Sequence, residues 1–91
     1  MKILQTNRFK KAYKSLHPNQ LPPVNRAIAD VIETPEIGER KVGDLSWLRV
    51  HKFKLLGQFM LLGYSMSEAQ EVVLTFIDIA PHENFYRDLK R

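Results

Sequence analysis

Cysteine is absent from these 91 residues. That excludes disulfides, thiolate zinc sites and a cysteine nucleophile together. Long apolar stretches are missing too. No run approaches the roughly 18 apolar residues that a membrane-spanning helix needs. The opening MKILQTNRFKKAYK carries a lysine with no apolar stretch behind it, so it does not read as a secretory signal. There is no phosphate-binding glycine loop, no GxSxG elbow, no HExxH and no carboxylate cluster able to hold magnesium. His17, His51 and His82 are too scattered for a zinc site. The expectation is a cytoplasmic protein in a reducing compartment, with no metal, no small-molecule cofactor and no membrane attachment.

What is present is a foldable core and an uneven basic charge. The hydrophobic fraction is 44%, and one Trp, three Tyr and five Phe argue for a globule. No repeat, linker or low-complexity tract divides the chain, so residues 1–91 read as one domain. Lys and Arg number 14 against 10 acids. Lys2, Arg8, Lys10, Lys11 and Lys14 open the chain without an acid between them. Arg49, Lys52 and Lys54 form a second acid-free cluster, and Arg87, Lys90 and Arg91 close the chain. Each cluster reads equally as a solvated face. Together they favour a polyanionic partner.

Periodicity supplies the elements. Residues 2–5 suit a short edge strand. Phe9, Ala12, Tyr13 and Leu16 recur on one helical face, and His17-Pro18 stops that helix. Val24, Ala27, Ile28, Val31 and Ile32 mark a second helix, with Pro22 and Pro23 in its first turn and Thr34-Pro35 at its end. Residues 36–46 read as a loop around Gly38 and Gly43, with room for a short extended piece. Three strands are expected at 47–55, 58–65 and 71–79, joined as an antiparallel meander. Pro81 breaks the chain before a short closing helix. The predicted fold is α+β, in the order β-α-α-β-β-β-α. A helical hairpin covers one face of a mainly antiparallel sheet of three to four strands, and the other face is at least partly open.

The candidate chemistry is cationic and protonic. On the WLRVHKFK strand, alternation separates Arg49 and His51 from Lys52 and Lys54. Hydrophobicity does not decide which pair faces a site, and charge that protects an edge strand explains the same residues. His82 and Tyr86 share one face of the last helix. By periodicity alone that spacing better suits a helix simply docked through Phe85 and Leu89. If these groups converge, they match metal-free RNA cleavage. Such cleavage needs a base for the 2′-hydroxyl proton, cations for the phosphorane and an acid for the 5′-oxygen.

The order of these motifs resembles the RelE/ParE superfamily of toxins along nearly the whole chain. The resemblance rests on the helical hairpin, GDLSWLRVHKFK, FMLLGYS and VVLTFIDIAPHENFYRDLKR. Leu45 and Leu48 precede Arg49, Tyr64 ends the next strand, and His82 and Tyr86 follow the last. The resemblance implies a type II toxin that cuts mRNA, on the ribosome in many relatives. His82 would be the acid or base, with Arg49, Lys52 and Lys54 on phosphate and Tyr86 stacking or moving a proton. His51 is a second acid/base candidate. His51, Lys10, Lys11, Lys14, Arg87, Lys90 and Arg91 would add RNA contacts. A cognate antitoxin, acidic and encoded nearby, is the expected protein partner. Two alternatives come with the resemblance: a ParE-like poison of DNA gyrase without nuclease activity, and a non-toxic nucleic-acid-binding relative.

Overall fold

The computed structural model describes residues 1–89; the candidates Lys90 and Arg91 lie outside the described residues. The chain begins with β1 (Lys2–Gln5), followed by α1 (Asn7–Lys14) and α2 (Leu21–Glu33). Four strands follow: β2 (Glu39–Arg40), β3 (Arg49–Leu55), β4 (Gln58–Ser67) and β5 (Val73–Pro81). Helix α3 (His82–Leu89) completes the described chain.

Helix α1 is started by Thr6, whose Oγ1 accepts from the Phe9 N–H at 3.1 Å. The same hydroxyl donates to the Ile77 carbonyl at 2.9 Å, which ties the helix to β5. Pro18 and a short 3-10 turn redirect the chain into α2, where Pro22 and Pro23 fall in the first turn and cost no helical hydrogen bond.

The sheet has five strands, in the order β1-β5-β4-β3-β2. That corrects the expected three to four. The additional strand is the two-residue β2, which pairs Glu39 with Val50 and Arg40 with Arg49. It is too short to carry a periodic signal. The first strand runs parallel to β5, with Lys2 opposite Val73, and the other pairings are antiparallel. Strand β4 continues to Ser67 because β5 pairs with it there, Ser67 opposite Val73. Pro81 ends β5 instead of breaking the chain before it, opposite Met60. Strand β1 stops at Gln5, opposite Phe76, so no neighbour on that side needs a Pro81 N–H.

The two faces of the sheet carry two cores. Phe9, Val24, Ala27, Val31, Leu62 and Tyr64 belong to the larger one, beneath the α1–α2 hairpin. Leu48, Val50, Leu61, Ala80 and Phe85 form the smaller one, beneath α3. The second face is therefore covered at one end and open at the other.

Candidate functional site

Register decides which cations meet which histidine. Val50 is buried in the core under α3, so Lys52 and Lys54, two and four residues on, lie on that same face. Arg49, His51 and Phe53 take the opposite parity and face the helical hairpin. The strand open to two readings in sequence is thus divided: its lysines stand with α3, and its arginine and histidine do not.

Helix α3 is anchored by Phe85, which is fully buried. Its ring occupies the space above Gly63, where any Cβ would meet it, and Leu48 borders the same space. Burying such a side chain contributes roughly 1.5–3 kcal/mol. The anchor sets the first turn of α3 beside the end of β3 and the start of β4. There Lys52, Gln58, Phe59, Pro81, His82 and Glu83 line one open groove of about 250 Å³. The Lys52 ammonium stands 4.4 Å from the centre of the Phe59 ring, and the Lys54 ammonium 5.2 Å from it. Among the described residues, neither lysine forms an ion pair. His82 is exposed at the groove wall.

Tyr86 lies one turn beyond His82 and is half-buried. Its ring meets Phe85 edge-on at 5.2 Å. Lys41, from the loop after β2, places its ammonium 5.4 Å from the Tyr86 ring centre and 2.9 Å from Glu39 Oε1. The Tyr86 phenol, and then the Glu39 carboxylate, hold the Lys41 ammonium above the usual lysine range. The lysine in turn holds the exposed Glu39 carboxyl below its ordinary value.

The remaining candidates lie elsewhere. Arg49 does not join His82. Its guanidinium donates to the Gly38 carbonyl at 3.0 Å and, at 3.5 Å, to that of Glu36. It pins the loop after α2 and works there with Tyr64. The Tyr64 hydroxyl donates to the Pro35 carbonyl at 2.7 Å and accepts from the Gly38 N–H at 2.9 Å. Burial pushes the Tyr64 phenol up, an effect that the Gly38 N–H and the nearby Arg49 charge oppose. His51 is half-buried on the hairpin side, where burial holds it below its ordinary value and Asp30 on α2 opposes the shift. Lys10, Lys11 and Lys14 are exposed on α1, in the layer across the sheet from the groove. Arg87 is exposed on α3 and bonds Asn84 Oδ1 at 3.2 Å.

Sequence reasoning missed Phe59 and Lys41. Phe59 is an apolar residue in a strand and reads as core; the only signal against that is its place beside the Leu56-Gly57 turn. Lys41 reaches Tyr86 only through the fold. Among the described residues, no cluster of three or more His, Asp or Glu could hold a metal ion.

A family model described as ParE-like toxin of type II bacterial toxin-antitoxin system matches residues 3–90. The fold resembles the toxin in the crystal structure of the intact E. coli RelBE toxin-antitoxin complex. The TM-score is 0.68 at 20% identity, over 88% of this chain and 94% of that one. It also resembles a double mutant of E. coli toxin RelE in the free state, with a TM-score of 0.67 at 20% identity, over 99% of this chain and 95% of that one. The same mutant in complex with an antitoxin RelBc peptide matches at 19% identity with a TM-score of 0.67. No significant match is found among curated protein sequences.

Proposed function

The chain belongs to the ParE-like toxins of type II bacterial toxin-antitoxin systems, and from that premise we propose that it is a metal-independent endoribonuclease that cuts mRNA and arrests translation. The observation that carries this reading is the convergence of Lys52, Phe59 and His82 on one groove. Lys52 and Lys54, which form no ion pair among the described residues, attract phosphate, and histidine is the side chain suited to proton transfer. In the proposed reaction, a base removes the 2′-hydroxyl proton and the 2′-oxygen attacks phosphorus. The bond to the 5′-oxygen breaks, and that oxygen takes a proton. His82 serves one of these transfers. Lys52 and Lys54 offset the charge that builds on the phosphorane. Tyr86, one turn beyond His82 on α3, is a stacking ring, and the Lys41 ammonium beside it is a further phosphate contact.

A cognate antitoxin is the proposed protein partner, supported by the fold's likeness to the toxin of the RelBE complex. The cytoplasm is the proposed compartment. Among the described residues no helix is long and apolar enough to cross a membrane.

Transcript mapping after a brief pulse of expression tests the proposal. Cuts inside translated regions are expected. General acid–base catalysis is worth roughly 10²–10⁴-fold, so His82→Ala should lower cleavage by at least about 10² and restore growth. A folded His82→Ala variant that cuts at the wild-type rate rules the assignment out. The family's ParE-like description favours a second reading, poisoning of DNA gyrase without cleavage. Intact transcripts with inhibited supercoiling by purified gyrase would select it.

A further inference from the structure

Phe59 is 46% exposed, although Met60, Leu61 and Leu62 beside it are buried. Strand alternation places its ring on the α3 face with Leu61. Helix α3 begins at His82 and covers the Leu61 and Gly63 end of β4, not the Phe59 end. The ring is left uncovered beside His82, with an ammonium at 4.4 Å and another at 5.2 Å from its centre. Cation–π attraction explains why the lysines rest there in the free protein. It does not explain why an aromatic ring stands at that position. A charged or polar residue would suit a solvated turn flank better.

We infer that Phe59 is a stacking platform for one unpaired base of a single-stranded RNA, with Lys52 and Lys54 on the phosphates beside it. This rests on the reading of the groove as an RNA site and sharpens it to a nucleotide-sized subsite. A nucleotide presents a flat π-face and an anionic group a few bonds away, and the ring with its two lysines presents the complement of both. A phosphate is the stronger partner for an ammonium than a phenyl ring is. As phosphate arrives, a lysine leaves the ring, and the face it covered becomes free for the base. A base inside a duplex has no free face, so the subsite selects unstacked, single-stranded substrate. Phe59 thus holds the strand while His82, on the same groove, reaches the sugar–phosphate.

The test uses the full chain and two fluorescein-labelled probes of equal short length. One is a single-stranded 2′-O-methyl oligoribonucleotide, which cannot be cut because it lacks the nucleophilic hydroxyl. The other is an abasic backbone with the same phosphates. Wild type should bind the base-containing probe more tightly. Phe59→Leu keeps an apolar side chain but removes the ring. It should weaken that probe roughly 5- to 150-fold, the range for loss of one stacked base, and leave the abasic probe unchanged. Phe59→Trp should keep the preference, which separates stacking from a folding defect. Lys52→Ala should weaken both probes. If Phe59→Leu retains the wild-type preference while Lys52→Ala weakens both, the groove binds RNA but Phe59 is no platform, and its exposed ring is left for a protein partner. If wild type binds neither probe, the RNA reading of the groove fails and this inference fails with it.

Discussion

Single residues that look alike in sequence play unlike parts here. Arg49 and Lys52 are both strand cations. One is bonded to the Glu36 and Gly38 carbonyls, and the other stands free of ion pairs among the described residues, over an exposed ring. Tyr64 and Tyr86 are both aromatic hydroxyls, but Tyr64 is fully buried and is the hinge pin of the loop after α2. Removing its hydroxyl leaves the Gly38 N–H and the Pro35 carbonyl without a partner. A buried polar group left in that state costs about 1–3 kcal/mol. Tyr64→Phe should therefore lower the unfolding free energy by an amount in that range, read as a lower urea midpoint. An unchanged midpoint would mean that the loop closes without this hydroxyl. The tyrosine at the end of the second meander strand was legible in sequence as part of the family pattern. Its structural role was not, because its partners are 26 and 29 residues away.

At the scale of elements, the β3–β4 hairpin sets the groove. Its turn holds Leu56 at φ 51° and Gly57 at φ 88°. Two positive values in a two-residue loop match the twist of the flanking strands. Glycine accepts this at little cost, whereas leucine crowds its Cβ against the carbonyl. Leu56 is 66% exposed, so little burial offsets that strain. Leu56→Asn should raise stability by about 1 kcal/mol, read as a higher urea midpoint. A lower midpoint would show that the leucine side chain contributes more than its backbone costs. The turn itself was expected from Leu56-Gly57, and so were both strands, because β-rich runs around a glycine are a local signal. The two-residue β2 was legible only as a short extended piece within the 36–46 loop, since a strand that short has no period. The β1–β5 pairing was hidden, because it joins residues 71 apart.

Across the whole molecule, the sheet separates two charged surfaces. Lys10, Lys11 and Lys14 ride on α1 over the larger core, and Lys52 and Lys54 stand on the other face beside α3. Net charge alone makes all of them equal candidates for a polyanion. Position predicts that they are not equal. For short single-stranded RNA, the logarithm of affinity falls with the logarithm of salt by about 0.7 per phosphate neutralised. Replacing Lys52 and Lys54 with alanine should make that slope shallower. Replacing Lys10, Lys11 and Lys14 with glutamine should leave it where it is. If the α1 triple variant flattens the slope as much as the β3 pair does, the RNA path does not follow the α3 face.

The sequence by itself determined the class of fold, the helical hairpin, the three long strands and the residue types available for chemistry. All of these follow from short-range patterns: the helical and strand periods, the prolines and the turn glycine. It also placed His82 and Tyr86 on one face of a helix, since that needs only their spacing. Which face of β3 works with them was decided by tertiary structure alone. Alternation states that Arg49 and His51 oppose Lys52 and Lys54, but only the packing of Val50 and Leu48 under Phe85 says which pair looks toward α3. Two amphipathic layers compete for a strand whose two faces are nearly matched in hydrophobicity, and local pattern does not rank them. The same packing exposes Phe59, because α3 covers one end of the sheet and leaves the other open.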